Sequence, residues 1–284
     1  MTYFGFLGLF LGIPIVILSI ITLIDFQRDK WMPKALHSFK PWIVMIALCV
    51  VAFVYTTPWD NYLVATSVWW YDVNLVSGIV IGWVPIEEYT FFLVQPVMTS
   101  LLFIFLARYM PTNPTRADSN AIRLWATSAV AIVWVIFTVI LVLTFVDVSY
   151  KPFTYLALQL SWALIPIMIQ FAFGADIIWR HRNVVITTIV ISTLYLGYAD
   201  ALAISSGTWT IDPEQSLPIF LGGVLPIEEF IFFLITNTLV TFGMTLVLAE
   251  ESLPRAIALE EYAFLRPVLQ PLRRVGATDK AKRA

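Results

Sequence analysis

Charge is scarce in this chain. Only 13% of its 284 residues are Asp, Glu, Lys or Arg, where soluble domains carry about 25%. That deficit places the chain in the membrane class before any motif is considered. Cysteine is almost absent: the single Cys49 sits in an apolar run, so an internal disulfide is excluded and the thiol reads as packing. The two histidines, His37 and His181, lie beside basic residues outside the apolar runs and do not make a His-rich zinc site. A net charge of −2 offers no basic surface for nucleic acid. Glycine-rich nucleotide loops of the Gly-x-Gly-x-x-Gly or Walker type are missing, as is Gly-x-Ser-x-Gly. Dinucleotide and serine-hydrolase chemistry therefore lack a motif. No metal or cofactor is called for.

What the chain has instead is hydrophobic length. Hydrophobic residues make up 60% of it, and the mean hydropathy is +0.84. About 20 apolar residues cross a bilayer core. Seven stretches qualify: Tyr3–Ile24, Pro41–Thr57, a long block Leu75–Ala107, Leu124–Val146, Phe153–Trp179, Val184–Ile204 and a second long block Leu217–Ala249. The first is not expected to be a cleaved signal, since it lacks a basic start and a small-residue cleavage site. Sixteen of the seventeen Lys and Arg residues fall in the loops around 25–40, 108–123 and 180–182 or in the tail, with Lys151 alone on the other side. The positive-inside rule then puts the N-terminus outside and the tail in the cytoplasm. The expected fold class is an all-α, seven-helix integral membrane protein, multi-pass in the cell membrane. The tail reads as an amphipathic piece, Arg255–Leu265, followed by a basic end touching anionic lipid.

Four residues occur twice inside the long blocks: Pro85-Ile86-Glu87-Glu88, then Tyr89-Thr90-Phe91-Phe92-Leu93, and Pro226-Ile227-Glu228-Glu229, then Phe230-Ile231-Phe232-Phe233-Leu234. A carboxylate at membrane depth costs about 2.5–3.5 kcal/mol on insertion scales. Asp60 precedes Glu88 by 28 residues and Asp200 precedes Glu229 by 29, so one inserted residue aligns 60–93 with 200–234. The expected organisation is a first repeat of spans 1–3 (residues 1–110), a linker with span 4 (111–152), a second repeat of spans 5–7 (153–250) and a tail (251–284). Spans 3 and 7 run the same way, so the repeat is parallel. Gly78, Gly82, Gly222 and Gly223 precede the prolines. They predict a break there, with a short half-helix or re-entrant piece before each spanning helix.

Pro-x-Glu-Glu can be no more than a good helix start, because Pro suits the first position and Glu complements the dipole. Recurrence with the same aromatic trailer, and no capping side chain before either proline, favours use of the acids. Glu88 and Gln95 share a helix face that Thr99 continues, and Glu229 and Thr236 repeat it. Phe92 and Phe233 lie nearly on that face. Glu88 and Glu229 are the first candidates for catalysis, with Glu87 and Glu228 as partners or bases, since paired carboxyls can supply a donor and an acceptor. Asp60 and Asp200, at the outer ends of spans 2 and 6, either line the site or are solvated. Asp72 and Asp212 read as loop acids. Asp25 and Asp176 read as surface ion pairs with Arg28 and Arg180. Trp59, Tyr89 and Phe230 add aromatic density that can stabilise a cation, while Trp69 and Trp70 read as an interfacial belt.

The doubled Pro-Ile-Glu-Glu-Tyr/Phe-x-Phe-Phe-Leu resembles the membrane-embedded lycopene cyclases. The flanking runs Thr57-Pro58-Trp59-Asp60-Asn61 and Gly207-Thr208-Trp209-Thr210-Ile211 belong to the same likeness, which covers roughly residues 1–250. That family occurs as two small subunits, as a fused chain, and as the cyclase domain of fungal bifunctional enzymes; this chain resembles the fused form. The resemblance implies an isomerase that closes the ends of lycopene into β-rings, giving β-carotene by way of γ-carotene. An acid protonates the terminal double bond, a chain double bond attacks the cation, and a base removes a ring proton. It implies a carotenoid substrate in a lipid setting, other carotenoid-pathway enzymes as partners, and a substrate-facing set of Asp60, Asp200, Trp59, Tyr89, Phe92, Gln95, Phe230, Phe233 and Asn237. The second half lacks the Pro-Trp-Asp-Asn run, having Tyr198-Ala199-Asp200-Ala201, and Thr236-Asn237 replaces Gln95-Pro96. The other reading of intramembrane Glu pairs is a proton-coupled transporter. A retinal photoreceptor would need a lysine in the last span, and none lies there; a metal-dependent prenyl transferase would want basic neighbours beside its acids.

Overall fold

The computed structural model describes residues 1–111 and 118–259. Seven helices are long and apolar enough to cross a membrane: α1 Tyr3–Gln27, α2 Pro41–Ala65, α3 Ile86–Tyr109, α4 Asn120–Thr144, α5 Thr154–Arg180, α6 Arg182–Ser205 and α7 Ile227–Leu248. A short α8, Ser252–Leu259, follows. The remainder of the expected amphipathic tail piece lies outside the described residues. Local signals set the starts. Thr2 accepts the Gly5 amide at the head of α1, Pro41 opens α2, and Ser119 accepts the Ile122 amide at α4, each relieving or avoiding an orphan N–H. α2 runs past Pro58 to Ala65, beyond the expected end at Thr57.

The long blocks do break at their prolines. Pro85 and Pro226 are the caps from which α3 and α7 begin. The piece before each is not the expected half-helix but a β-hairpin, so the protein is mostly helical rather than all-α. β2 (Val80–Ile81) pairs with β3 (Val84–Pro85), and β5 (Phe220–Leu221) with β6 (Leu225–Pro226). The glycines make the turns: Gly82, Gly222 and Gly223 all have positive φ, a region open to glycine without a Cβ penalty. The first turn holds Gly82-Trp83 and the second Gly222-Gly223-Val224, which locates the one inserted residue between the halves.

A third ribbon joins the two regions. β1 (Trp69–Tyr71) pairs antiparallel with β4 (Trp209–Ile211), Trp70 opposite Thr210. Its flanking bonds match at a spacing of 140 residues: the Asp72 amide donates to Thr208 O and the Asp212 amide to Val68 O. Likewise the Tyr3 amide donates to Leu75 O, and the Tyr155 amide to Gln215 O.

Burial ranks the helices. The most apolar stretches of α3 and α7 are 61% and 67% buried, whereas none of that of α4 is, so α3 and α7 form the centre. Gly174 lets α7 close on α5, since a Cβ there would sit 2.5 Å from Leu246 Cδ2. At the end away from the hairpins, Asp25 and Asp176 are each 3% exposed, not surface acids. Asp25 pairs with Arg108 (2.7 Å) and accepts from Tyr109, while Asp176 pairs with Arg123 (2.9 Å) and Arg255 (2.8 Å). The expected partners Arg28 and Arg180 were chosen by nearness in sequence. Buried charge demands a tight partner, and helix packing supplies others.

Candidate active site

Each Glu-Glu pair splits its roles by direction. Adjacent residues on a helix point about 100° apart, so one acid of each pair faces the loop and the other the interior. Glu87 Oε1 accepts the Ser77 amide at 2.5 Å, and Glu228 Oε1 accepts the Leu217 amide at 2.7 Å. Both therefore tether the start of a hairpin to the start of its helix. Glu88 instead accepts hydrogen bonds from the phenols of Tyr3 and of Tyr71, the latter at 3.1 Å. Glu229 accepts one from Tyr155 at 2.7 Å. Burial pushes the Tyr71 phenol well above its ordinary range, and the Glu88 carboxylate adds to that, so Tyr71 stays a donor.

Glu88 and Glu229 line one small cavity, about 40 Å³, between the tops of α3 and α7. Tyr3, Tyr71 and Tyr155 share its wall, as do Asp200, Trp69 and Trp209, and the rings of Phe91, Phe232 and Phe233 form its floor side. Asp60 and Asp200 are each 1% exposed, which rejects the solvated reading. Asp200 accepts from Trp209 Nε1 at 3.0 Å. Neither carboxyl oxygen of Asp60 has a partner among the described residues. Asp72 and Asp212 are loop acids, accepting the amides of Asn74 and Glu214.

The remaining expected positions disperse. Trp59 donates to Leu158 O and stacks on Trp162 and Phe232, behind the cavity. Phe92 and Gln95 line a second, apolar cleft below it. Gln95 Nε2 donates to Asn237 Oδ1 at 2.8 Å, and Thr99 donates to the same oxygen at 2.7 Å, a buried polar clasp between α3 and α7. Tyr89 is not in the cavity: it bonds Ile81 O and Asn61 and so pins the first hairpin. Phe230 packs on Gly197 of α6. Trp69, expected in the interfacial belt, is buried and faces the acids, while Trp70 is exposed. Tyr3 and Tyr155 escaped sequence reasoning. The one available signal was the shared dipeptide Thr2-Tyr3 and Thr154-Tyr155 at the heads of spans 1 and 5.

No family profile matches the chain, and no solved structure does. Among curated proteins, the chain is 34% identical over 246 residues to the lycopene beta-cyclase of Halobacterium salinarum, covering 86% of this chain and 95% of that protein. The bifunctional lycopene cyclase/phytoene synthase of Aspergillus oryzae is 32% identical over 207 residues, 72% of this chain and 34% of that protein. The Podospora anserina counterpart is 34% identical over 205 residues, 70% of this chain and 34% of its own length.

Proposed function

The chain belongs to the lycopene cyclase family, and from that membership we propose how its own residues perform the reaction. The enzyme is an isomerase that closes the linear ends of lycopene into β-rings, with no net redox change. Each closure takes up one proton at the terminal double bond, forms one carbon–carbon bond and releases one proton from the new ring. Glu88 and Glu229 are the proton-handling pair. One donates, and the other stands across the same cavity to accept. Tyr3, Tyr71 and Tyr155 orient the carboxyls, and the Phe91, Phe232 and Phe233 rings face the cation that forms between the two proton transfers. Glu87 and Glu228 act as positioning residues, and Asp60 and Asp200 hold the polar side of the cavity. The observation that carries this reading is the convergence of Glu88 and Glu229, 141 residues apart, on one enclosed space.

The finer architecture is part of the proposal. Residues 1–110 and 153–250 form parallel repeats about an axis along the membrane normal, with 111–152 as linker and 251–284 as tail. Antiparallel pairing of β1 with β4 about Trp70 and Thr210 supports this, because a two-fold axis brings equivalent strands together in that way. The protein sits in the cell membrane with its N-terminus outside and its tail cytoplasmic, as the Lys and Arg distribution directs. There it meets bilayer lipid and the enzymes that make its substrate. In a lycopene-accumulating host it converts lycopene to a ring-bearing carotenoid, resolved by pigment chromatography; unchanged lycopene beside membrane-located protein would refute the reading.

A further inference from the structure

Below the acid cavity lies a cleft of about 160 Å³ between α2, α3, α5 and α7. Phe91 and Phe232 line both spaces, their ring centroids 6.4 Å apart. They are the partition between the acids and the cleft. The cleft runs down α7 as far as Val240. That is eleven residues beyond Glu229, or about 16 Å at the rise of a helix.

Its polar side chains are mostly spent on the protein itself. Tyr55 donates to Trp162 O at 2.9 Å, Thr236 donates to Phe232 O at 2.8 Å, and Gln95 is committed to Asn237. Gln170 Nε2 is bonded to Leu239 O, leaving its Oε1 as the one polar atom here without a partner. A space whose polar groups already have partners offers hydrocarbon contact and little to an ion or a hydrated solute.

The cleft also opens sideways. α2 and α5 share no extended packing. The gap between them is bridged by the Tyr55 and Trp162 rings, stacked at 5.2 Å and bonded to each other's backbone. Val51 on its rim is 60% exposed, and in a bilayer that exposure faces lipid. From this portal the rings of Trp162, Trp59 and Phe232 continue inward in contact.

We propose that this cleft is the berth of the substrate's polyene arm. The chain enters from the bilayer between α2 and α5 and passes the Phe91–Phe232 partition, so that only its terminal segment reaches the acids. The inference rests on the cyclase reading and adds the route, the orientation and the residues that set them. Ala52 and Thr236 are the positions where added bulk would fill the berth without touching an acid.

The test uses the full chain in lipid nanodiscs with lycopene as the probe. Binding is read by quenching of tryptophan fluorescence in a Glu88→Gln/Glu229→Gln background, where no product forms. Ring formation is read in the parent. Ala52→Phe and Thr236→Phe are expected to weaken lycopene binding about tenfold, the effect of about 1–3 kcal/mol of overpacking. In the active background KM should rise by the same factor while kcat stays within about threefold. Val54→Phe, on the 65% exposed face of α2, should bind as the parent does. If the phenylalanine variants fail to fold, Ala52→Val supplies a milder step, expected at about threefold. Folded bulky variants, or a folded Ala52→Val, that bind and cyclise lycopene like the parent would overturn the berth while leaving the cyclase reading intact. Failure of the unsubstituted protein to form rings would instead strike the cyclase reading.

Discussion

Glu88 and Glu229 begin matching helices after matching hairpins, yet the first accepts hydrogen bonds from two phenols and the second from one. Their aspartates differ too: Trp209 binds Asp200, while Trp69 Nε1 and both Asp60 oxygens lack partners among the described residues. The backbone frame is the same in both halves down to the loop amides held by Glu87 and Glu228. The groups that face the cavity are not. Duplication has supplied two acids at one depth, and the wiring around each makes them chemically unequal. An unequal pair suits a reaction that needs a donor and an acceptor at once.

The largest blow to that comparison comes from the acids themselves. Glu88→Gln and Glu229→Gln are each expected to lower ring formation at least about a hundredfold, the usual scale for losing a general acid or base, as measured by pigment chromatography with membrane-located protein held equal. If the halves were redundant, one of the two would retain near-parent activity. The phenols sharpen the contrast. Tyr155→Phe removes the only phenol on Glu229 and should slow turnover about ten- to a hundredfold. Tyr71→Phe leaves Tyr3 on Glu88 and should slow it only about three- to tenfold. Equal losses would mean that the count of phenols does not set the difference. The smallest effect is expected at the tethers. Glu87→Gln and Glu228→Gln keep an oxygen for the loop amide and should hold activity within about threefold, while the alanine variants should lower thermal stability by about 1–3 kcal/mol. A collapse of activity in the glutamine variants, as severe as at Glu88, would make the tethers catalytic.

Much of the frame was legible in the sequence because it rests on local signals. Hydrophobic length gave the seven helices, and Pro85 and Pro226 fixed where α3 and α7 start. The hairpins were not legible. Their strands are two residues long, too short to show alternation, and glycine before proline fits a broken helix as well as a turn. Among site residues, Glu88 and Glu229 stood out because a buried acid is costly and repeated. Tyr3 and Tyr155 did not, being 85 and 74 residues from the acids they bind and having no peculiarity of their own beyond the shared Thr-Tyr. Tyr89 and Phe230 were chosen for nearness to the acids along the chain. One pins a hairpin and the other packs on α6, because helix geometry sends neighbours in different directions. The ion pairs of Asp25 and Asp176 were misassigned for the same reason.

The ribbon of β1 and β4 has a further consequence for assembly. Each strand is the other's only sheet neighbour, so either half produced alone would present three residues of unpaired backbone beside its acid. Open edges of this kind recruit a partner strand. Cut in the connection between α3 and α4, the chain would leave two fragments carrying complementary adhesive edges, each able to select the other and rebuild the roof over the cavity. A split reporter could be built on that junction.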